Sequence, residues 1–173
     1  LTGEGIYIDD STPSNSLFAY FFRSQVAHAR IAKLTIDDAK KSTGIKGIFT
    51  AEDLEKNGVK NDLVGVTVKN LDGTDGACPK RPLLAEYRVR FVGEPIVLVV
   101  ADSMENARDA AELIEIDYDD LPVSIDLEVS ENTIHQEAPG NLAFEWDLGD
   151  KNKTDAVFKE ADKIVSMEVY NNR

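Results

Sequence analysis

The chain has 173 residues and a formal net charge of −13, from 32 acidic and 19 basic residues. A nucleic-acid-binding protein needs a basic face for phosphates, so this balance argues against that class and disfavours an anionic membrane surface. We expect no transmembrane segment, because no apolar run is long enough to cross a bilayer. With one cysteine and no signal segment visible at the start, the sequence predicts a cytoplasmic location.

The first part of the chain predicts short strands followed by a short helix. The aromatic stretch Leu17–Arg23 is typical of a core strand, and a second strand lies within Ala27–Ile36. Asp37 can then cap a helix over Asp38–Thr43, and Gly44 stands where helices are commonly closed. Small helices packed on a sheet are therefore expected.

A further strand and helix follow directly. Ile45–Phe49 is predicted as a strand from its apolar, β-branched composition. Thr50, with Asp53 three residues later, predicts a capping box at the start of a helix. The dipeptide Asn57-Gly58 is a breaker, so this helix should end there.

The stretch from 59 to 87 differs from the rest of the chain. Val64, Val66 and Val68 alternate as they would in a strand. The loop 69–82 that follows contains several glycines and prolines, which indicates turns rather than regular structure. We expect this loop at the surface, where it could contact another molecule.

The central unit, Arg88–Pro122, predicts a strand, a helix and a second strand. Ile96–Ala101 is an unbroken apolar run suited to a buried strand. Asp102 or Ser103 can cap the helix, and Glu105 lies three residues after Asp102, as in a capping box. Alanines recur on one face of this helix, which would let it pack close to the sheet.

After that helix the hydrophobic period changes to two. Ile114, Ile116 and Tyr118 alternate with acidic residues, which predicts a half-buried strand. The strand should stop near Pro122, since proline cannot donate to a ladder. The alternation over Val123–Leu127 predicts one more strand, at an edge.

The last part of the chain is predicted to start a new unit. Residues 128–149 show little periodicity and suggest a linker or a long excursion. A helix over Asp155–Ala161 and a strand over Ile164–Tyr170 follow. We therefore place a domain boundary near 126–128. A strand near the end without a following partner also predicts that the chain is a piece of a longer protein.

Side chains that could bind metal or act as nucleophiles are few. His28 and His135 are the only histidines and lie far apart in sequence, so a metal site is not expected, and a half-buried histidine at a strand end is the plainer interpretation. Lys80 and Arg81 lie near Cys78 and could activate its thiol, but no histidine is close in sequence. We predict a surface thiol; an enzyme acting through Cys78 would instead show rapid thiol labelling at neutral pH.

The acidic residues give two weak signals. Asp72-Gly73 and Asp75-Gly76 resemble fragments of a calcium loop, but the other EF-hand ligands are missing, so two tight turns are predicted. Glu94, between Gly93 and Pro95, could act as an acid or base, but a bend with Glu94 facing water is the expected arrangement. The residues alone therefore predict no catalytic, cofactor-binding or metal-binding position.

Several longer motifs occur together in one order. They are TGEGIYIDD at 2–10, FFRSQVAHARI at 21–31, a glycine followed by TAEDL at 47–54, RPLLAEYRVRFVGEPIVLVVADS at 81–103, AAELIEIDYDDLPV at 110–123, GN at 140–141 and LGD at 148–150. In this order and spacing the chain resembles the large, molybdopterin-binding subunit of the xanthine oxidase family of molybdenum hydroxylases. That family includes aldehyde oxidoreductases, xanthine dehydrogenases and aerobic carbon monoxide dehydrogenases.

The resemblance implies an α+β (mixed α/β) fold. Residues 1–126 are similar to the α/β-hammerhead domain of that family, with a mixed sheet and short packed helices. Residues 127–173 are similar to a linker and the first helix and strand of the molybdopterin-binding region. The cofactor loops and the catalytic glutamate of the family lie beyond Arg173, so no site residue can be carried over to this chain.

The resemblance also implies an activity for the parent protein. Members of the family oxidise substrates at molybdenum held by a pterin dinucleotide, and electrons leave through iron–sulfur clusters and FAD on partner subunits or domains. This fragment is expected to be structural, to be inactive by itself and to bind no pterin. Loop 69–82, with Lys80 and Arg81, is our candidate for a subunit contact.

A second class of function is left open by the sequence. The chain could be a free-standing α+β interaction module that shares the fold without the enzyme. Reading the gene past Arg173 separates the two possibilities. Several hundred further residues with glycine-rich loops favour the hydroxylase, and a stop codon favours the module.

Overall fold

The computed structural model describes residues 2–63, 65–125 and 131–171. Within these residues the chain forms short strands and helices, together with two 3-10 turns at Ile8–Asp10 and Pro139–Asn141. The strands are β1 (Phe18–Arg23), β2 (Ala29–Thr35), β3 (Ile45–Phe49), β4 (Arg88–Val89), β5 (Pro95–Ala101) and β6 (Glu115–Asp120). The helices are α1 (Asp37–Lys40), α2 (Ala51–Lys56), α3 (Met104–Glu112) and α4 (Lys151–Glu160).

The strands form two three-stranded sheets, in the orders β1-β5-β3 and β4-β2-β6. Every pair within them is antiparallel. The central unit therefore divides between the sheets, because β5 is the middle strand of the first and β6 an edge strand of the second. With short helices packed on these sheets, the predicted α+β class is confirmed.

The core lies between the sheets and α3. The alanines on one face of α3 are buried, Ala107 completely, and this helix contacts β1, β3 and β5. Val97 and Val99 of β5 are fully buried as well. The small side chains let the helix approach the sheet closely, as the sequence predicts.

The local helix signals give mixed outcomes. The capping box of α2 is confirmed: the Thr50 hydroxyl accepts from the Asp53 N–H, and the Thr50 N–H donates to the Asp53 carboxylate at 2.8 Å. The predicted Asp37 cap is wrong, because Asp37 is already inside α1 and Ile36 holds the cap position without a side-chain bond. A helix of only four residues has too few turns to fix its boundary by local signals.

The cap of α3 is Ser103, whose hydroxyl accepts from the N–H of Asn106 at 3.1 Å. The capping box of Asp102 with Glu105 is therefore wrong. The Asp102 carboxylate instead accepts from the side-chain amide of Asn106 at 2.7 Å, directly over Gly44. This polar contact joins the start of α3 to the turn before β3.

Two predicted strands are not seen in the parts of them that the structure describes. Val66 and Val68 belong to no strand, and Val64 lies outside the described residues; instead Lys69 pairs with Asp75 across a short hairpin. In the predicted edge strand Val123–Leu127, residues 123–125 are irregular, and the rest lies outside the described residues. The domain boundary expected near 126–128 also falls there.

The C-terminal part differs most from expectation. Helix α4 begins at Lys151, four residues before the predicted start, because Asp150 caps it by accepting from the N–H of Lys153. The strand predicted over Ile164–Tyr170 is not formed; these residues are exposed and no neighbouring strand pairs with them in the described chain. No described helix combines the length and apolarity that a membrane span requires.

Candidate functional site

Four titratable side chains form what we call the polar junction: His28, Arg90, Glu94 and His135. They come from the turn before β2, the turn before β5 and the segment after residue 131. Arg90 and His28 both act electrostatically on the pKa values of Glu94 and His135, which shows that the four side chains lie near one another. Residues far apart in sequence therefore share one polar region beneath the sheet ends.

Glu94 is the most buried member, with 3% of its surface exposed. Its carboxylate accepts from the backbone N–H of Arg90, and its own carbonyl accepts from the N–H of Ser24 at 2.9 Å. Burial raises the pKa of the Glu94 carboxyl above its usual value of 4.5, although the N–H groups of Arg90 and Phe91 act in the opposite direction. The expectation that Glu94 faces water is wrong.

The cause of this inward orientation is the backbone of the turn. Gly93 has a φ of 91°, which provides the predicted bend. The Gly93 N–H donates to the carbonyl of Ser24 at 2.8 Å, and the guanidinium of Arg23 donates to the carbonyl of Gly93 at 2.9 Å. The turn is thus fixed to the end of β1, and the next side chain, Glu94, enters the interior.

His28 lies directly before β2 and is 6% exposed, so it is more buried than the half-buried position expected from sequence. Its Nδ1 is 2.6 Å from the carbonyl oxygen of Pro122, so Nδ1 carries the proton and donates it. Its Nε2 is buried and has no hydrogen-bond partner among the residues that the structure describes. This histidine ties the end of the central unit to β2.

His135 stands at the boundary of two cavities, one of about 730 Å³ and one of about 270 Å³. Burial lowers the pKa of His135 below 6.5, and the neighbouring charges of Arg90, His28 and Arg88 lower it further. The neutral imidazole is therefore favoured here. The raised pKa of Glu94 and the lowered pKa of His135 both favour uncharged groups in the polar junction.

The larger of these cavities brings Cys78 and His135 onto one lining, together with Arg81. The sequence gives no sign of this proximity, because Cys78 and His135 are 57 positions apart. Cys78 is exposed and in no disulfide. A Cβ on Gly65 would collide with the Cys78 sulfur, so any larger residue at position 65 would displace the Cys78 side chain.

Loop 69–82 forms a hairpin at the surface. Asp72 accepts from the N–H of Thr74 at 2.9 Å, and Gly73 has a φ of 83°, so the first of the two predicted tight turns is present. Gly76 is on the returning side of the hairpin, where its N–H donates to Val68, so the second turn is wrong. Lys80 and Arg81 are exposed near its end.

The described residues contain no group of three or more His, Cys, Asp or Glu side chains that could hold a metal ion. The polar junction also contains no arrangement of a nucleophile hydrogen-bonded to a base. Its hydrogen bonds go to backbone groups of turns. The geometry supports a role in fixing the fold, with buried polar groups holding the ends of three strands.

The family model for the aldehyde oxidase and xanthine dehydrogenase α/β-hammerhead domain matches residues 2–122. The chain belongs to this family. Among curated relatives, the large chain of carbon monoxide dehydrogenase from Hydrogenophaga pseudoflava is 32% identical over 98% of this chain and 22% of its own length. Xanthine dehydrogenase 1 from Arabidopsis thaliana is 38% identical over 76% of this chain and 9% of its own length.

A solved structure contains a fold similar to that of this chain. The Cu,Mo-CO dehydrogenase in its carbon monoxide-reduced state has a TM-score of 0.64 and is 30% identical, over 93% of this chain and 21% of that chain. The chain thus spans about a fifth of the length of these carbon monoxide dehydrogenase chains. The resemblance to molybdenum hydroxylases stated from the sequence motifs is confirmed at the level of the family.

Proposed function

We propose that this chain is part of the large subunit of a molybdenum hydroxylase, of the carbon monoxide dehydrogenase, aldehyde oxidoreductase or xanthine dehydrogenase type. The parent protein would oxidise its substrate at a molybdenum–pterin centre. The observation that supports this most is the similarity to a carbon monoxide dehydrogenase large chain over 98% of the residues. We assign residues 1–126 to the hammerhead domain and 127–173 to the linker and the start of the molybdopterin-binding region.

The role of the fragment within that protein is structural. The buried polar groups of Glu94 and His28 bond to backbone atoms, and the described residues supply no three-ligand donor set for a metal. The described residues thus offer no donor set that would hold the molybdenum ion directly. We therefore propose that other parts of the parent protein bind the molybdenum–pterin dinucleotide, and that the fragment alone is inactive.

The experiment is elemental analysis of the complete protein beside the 173-residue chain. Molybdenum at a stoichiometry near one per complete polypeptide, and none with the isolated chain, is the expected result. A complete protein that lacks molybdenum after expression with molybdate and a functional pterin pathway would contradict the hydroxylase proposal. Molybdenum retained by the isolated chain would contradict the structural role of the fragment.

Partners are part of the proposal. The name of the carbon monoxide dehydrogenase relative, a large chain, indicates further chains in that protein. We propose iron–sulfur and flavin subunits or domains here as well, with a cytoplasmic location for the complex. Loop 69–82 is the proposed contact surface, because Lys80 and Arg81 are exposed cations in a chain of net charge −13.

Charge reversal tests this contact. In the complete assembly, Lys80→Glu with Arg81→Glu should weaken subunit association, measured by sedimentation velocity, and more so at low salt. The control is Lys33→Glu, which reverses the charge of an exposed lysine on β2, outside the loop. Unchanged association of the double variant would exclude loop 69–82 as the contact.

A further inference from the structure

One edge of β1 is unpaired in the described structure. β1 pairs with β5 only, and β5 pairs with β3 on its other side. The N–H of Asp102 donates to the carbonyl of Gly44, on the β3 side. Neighbouring residues of an antiparallel strand direct their backbone groups to opposite sides, so those of Ala101, Val99 and Val97 point towards β1. In the register of the sheet, Tyr20 lies opposite Val99. The β1 residues that face β5 are thus Phe18, Tyr20 and Phe22.

The alternate residues of β1 direct their N–H and C=O groups to the free edge. These residues are Ala19, Phe21 and Arg23. The backbone bonds of Ser24 agree with this assignment, because Ser24 exchanges two of them with the turn before β5. An open row of donors and acceptors is a template for another strand.

A groove of about 740 Å³ runs along this edge. Four consecutive residues, Tyr20 to Arg23, line it. Since successive side chains of a strand point to opposite faces, contact with four in a row means that the groove follows the edge rather than one face. Ile116 and Tyr118, which lie on one face of β6, also line it.

The groove carries positive charge. Arg23 lies 5.4 Å from the ring centre of Phe21, and Arg108 of α3 lies 6.0 Å from that of Tyr20. Neither arginine forms an ion pair within the part of the chain that the structure describes. Glu112 is the one acidic side chain among the lining residues. In a chain of net charge −13, this groove is a local site for an acidic partner.

We propose that the groove receives an extended polypeptide segment from outside these 173 residues, which adds as a strand to the free edge of β1. On the face of β1 that carries Tyr20, its side chains would meet Arg108 together with Ile116 and Tyr118. On the opposite face, an acidic side chain would meet Arg23 beside Phe21. The related carbon monoxide dehydrogenase large chain is covered to only 22% by this chain, so a long polypeptide outside it is available. Such a segment would extend the first sheet to four strands.

Hydrogen–deuterium exchange on the complete protein, with its subunits, tests the proposal at single residues. The outward amides of Ala19, Phe21 and Arg23 should be protected by roughly tenfold or more relative to an unstructured peptide. The inward amides of Phe18, Tyr20 and Phe22 provide the internal reference, because β5 protects them in any case. Outward amides that exchange at the unstructured rate in the complete protein would overturn the proposal.

Two matched variants separate strand addition from simple side-chain burial. Phe21→Ala keeps the outward N–H, whereas Phe21→Pro removes it without touching the ladder to β5. Protection of Ala19 and Arg23 should persist in the first variant and fall by several-fold in the second. Equal protection in both variants would contradict the strand, and retained protection of Tyr20 and Phe22 establishes that each variant is folded.

The charge and the origin of the segment are tested in the same way. Arg108→Glu, which leaves the bond from Arg23 to the Gly93 carbonyl intact, should lower the outward protection several-fold, whereas the control Lys33→Glu should not. Unchanged protection in the Arg108 variant would exclude the acidic segment. Protection that rises with protein concentration in the isolated chain would identify a second copy as the occupant and would also overturn the proposal.

Discussion

The carboxyl group of Glu94 is buried almost completely away from water. The group is 3% exposed, and its bonds come from the backbone of its own turn. No cation lies within ion-pair distance of it among the described residues, so burial dominates and the pKa is raised. The side chain therefore stabilises the turn best in its protonated form.

This predicts an unusual pH dependence for a glutamate. Because the pKa in the folded chain is above the usual 4.5, the contribution of Glu94 to stability is complete below that pH and is lost as the pH rises through the folded pKa. The free energy of unfolding of the wild type relative to Glu94→Gln should fall from pH 5 to pH 8. Urea titrations of both proteins measure it. A difference that rises with pH would contradict the assigned burial.

Gly44 offers a second residue-level prediction. Its φ is +77°, and a Cβ there would stand 2.2 Å from the Asp102 carboxylate oxygen. Gly44→Ala should lower the free energy of unfolding by about 2 kcal/mol or more, from backbone strain together with the clash. Gly58→Ala is the control, since Gly58 has a similar φ of +73° with open space around it and should cost about 1 kcal/mol. Equal losses in thermal or urea unfolding would show that the clash is relieved.

At the level of the elements, the start of α2 is stabilised by a capping box. The hydroxyl of Thr50 and the carboxylate of Asp53 satisfy each other's backbone N–H groups, and the N–H of Thr50 holds the pKa of Asp53 below 3.8. Thr50→Ala should destabilise the chain by about 1 kcal/mol in urea unfolding. Thr43→Ala, an exposed threonine outside any helix, should change it by less than about 0.5 kcal/mol. Similar losses would mean that the cap contributes little.

The elements also show which structural features can be predicted from neighbouring residues in the sequence. The strand Ile45–Phe49 and the box of Thr50 with Asp53 follow from neighbouring residues, and both are confirmed. The inward position of Glu94 could not be predicted, because it depends on backbone bonds to Ser24, 70 residues earlier. The pairing of Cys78 and His135 in one cavity depends on chain paths that no local period encodes. In the turn before β5, only Gly93 gave a sequence signal, and that signal predicted the bend but not the direction of the Glu94 side chain.

At the scale of the whole molecule, apolar surface is concentrated near the C-terminal side of the described chain. Val165, Met167 and Val169 are 80%, 83% and 72% exposed, and they alternate as in a strand without a partner. Contiguous exposed apolar surface promotes association. The isolated chain should therefore self-associate at high concentration, with this segment as a main contributor.

Replacing Val165, Met167 and Val169 by serine tests that expectation. Sedimentation velocity should show a smaller associated fraction for the triple variant than for the wild type, with an unchanged midpoint of urea unfolding, since these side chains contact no buried core. As a control, serine at Ile6 and Ile8, which are exposed near the other end, should have a smaller effect. Equal association of the triple variant and the wild type would contradict the assignment.

The central place of β5 has a consequence for synthesis on the ribosome. Both of its neighbours, β1 and β3, precede it in the chain, and β2 likewise waits for β4 and β6. A nascent chain that has not yet exposed Ala101 outside the exit tunnel can complete neither sheet. Its aromatic first strand then remains available to chaperones during elongation, so the order of translation itself delays the formation of this domain until most of its residues have emerged.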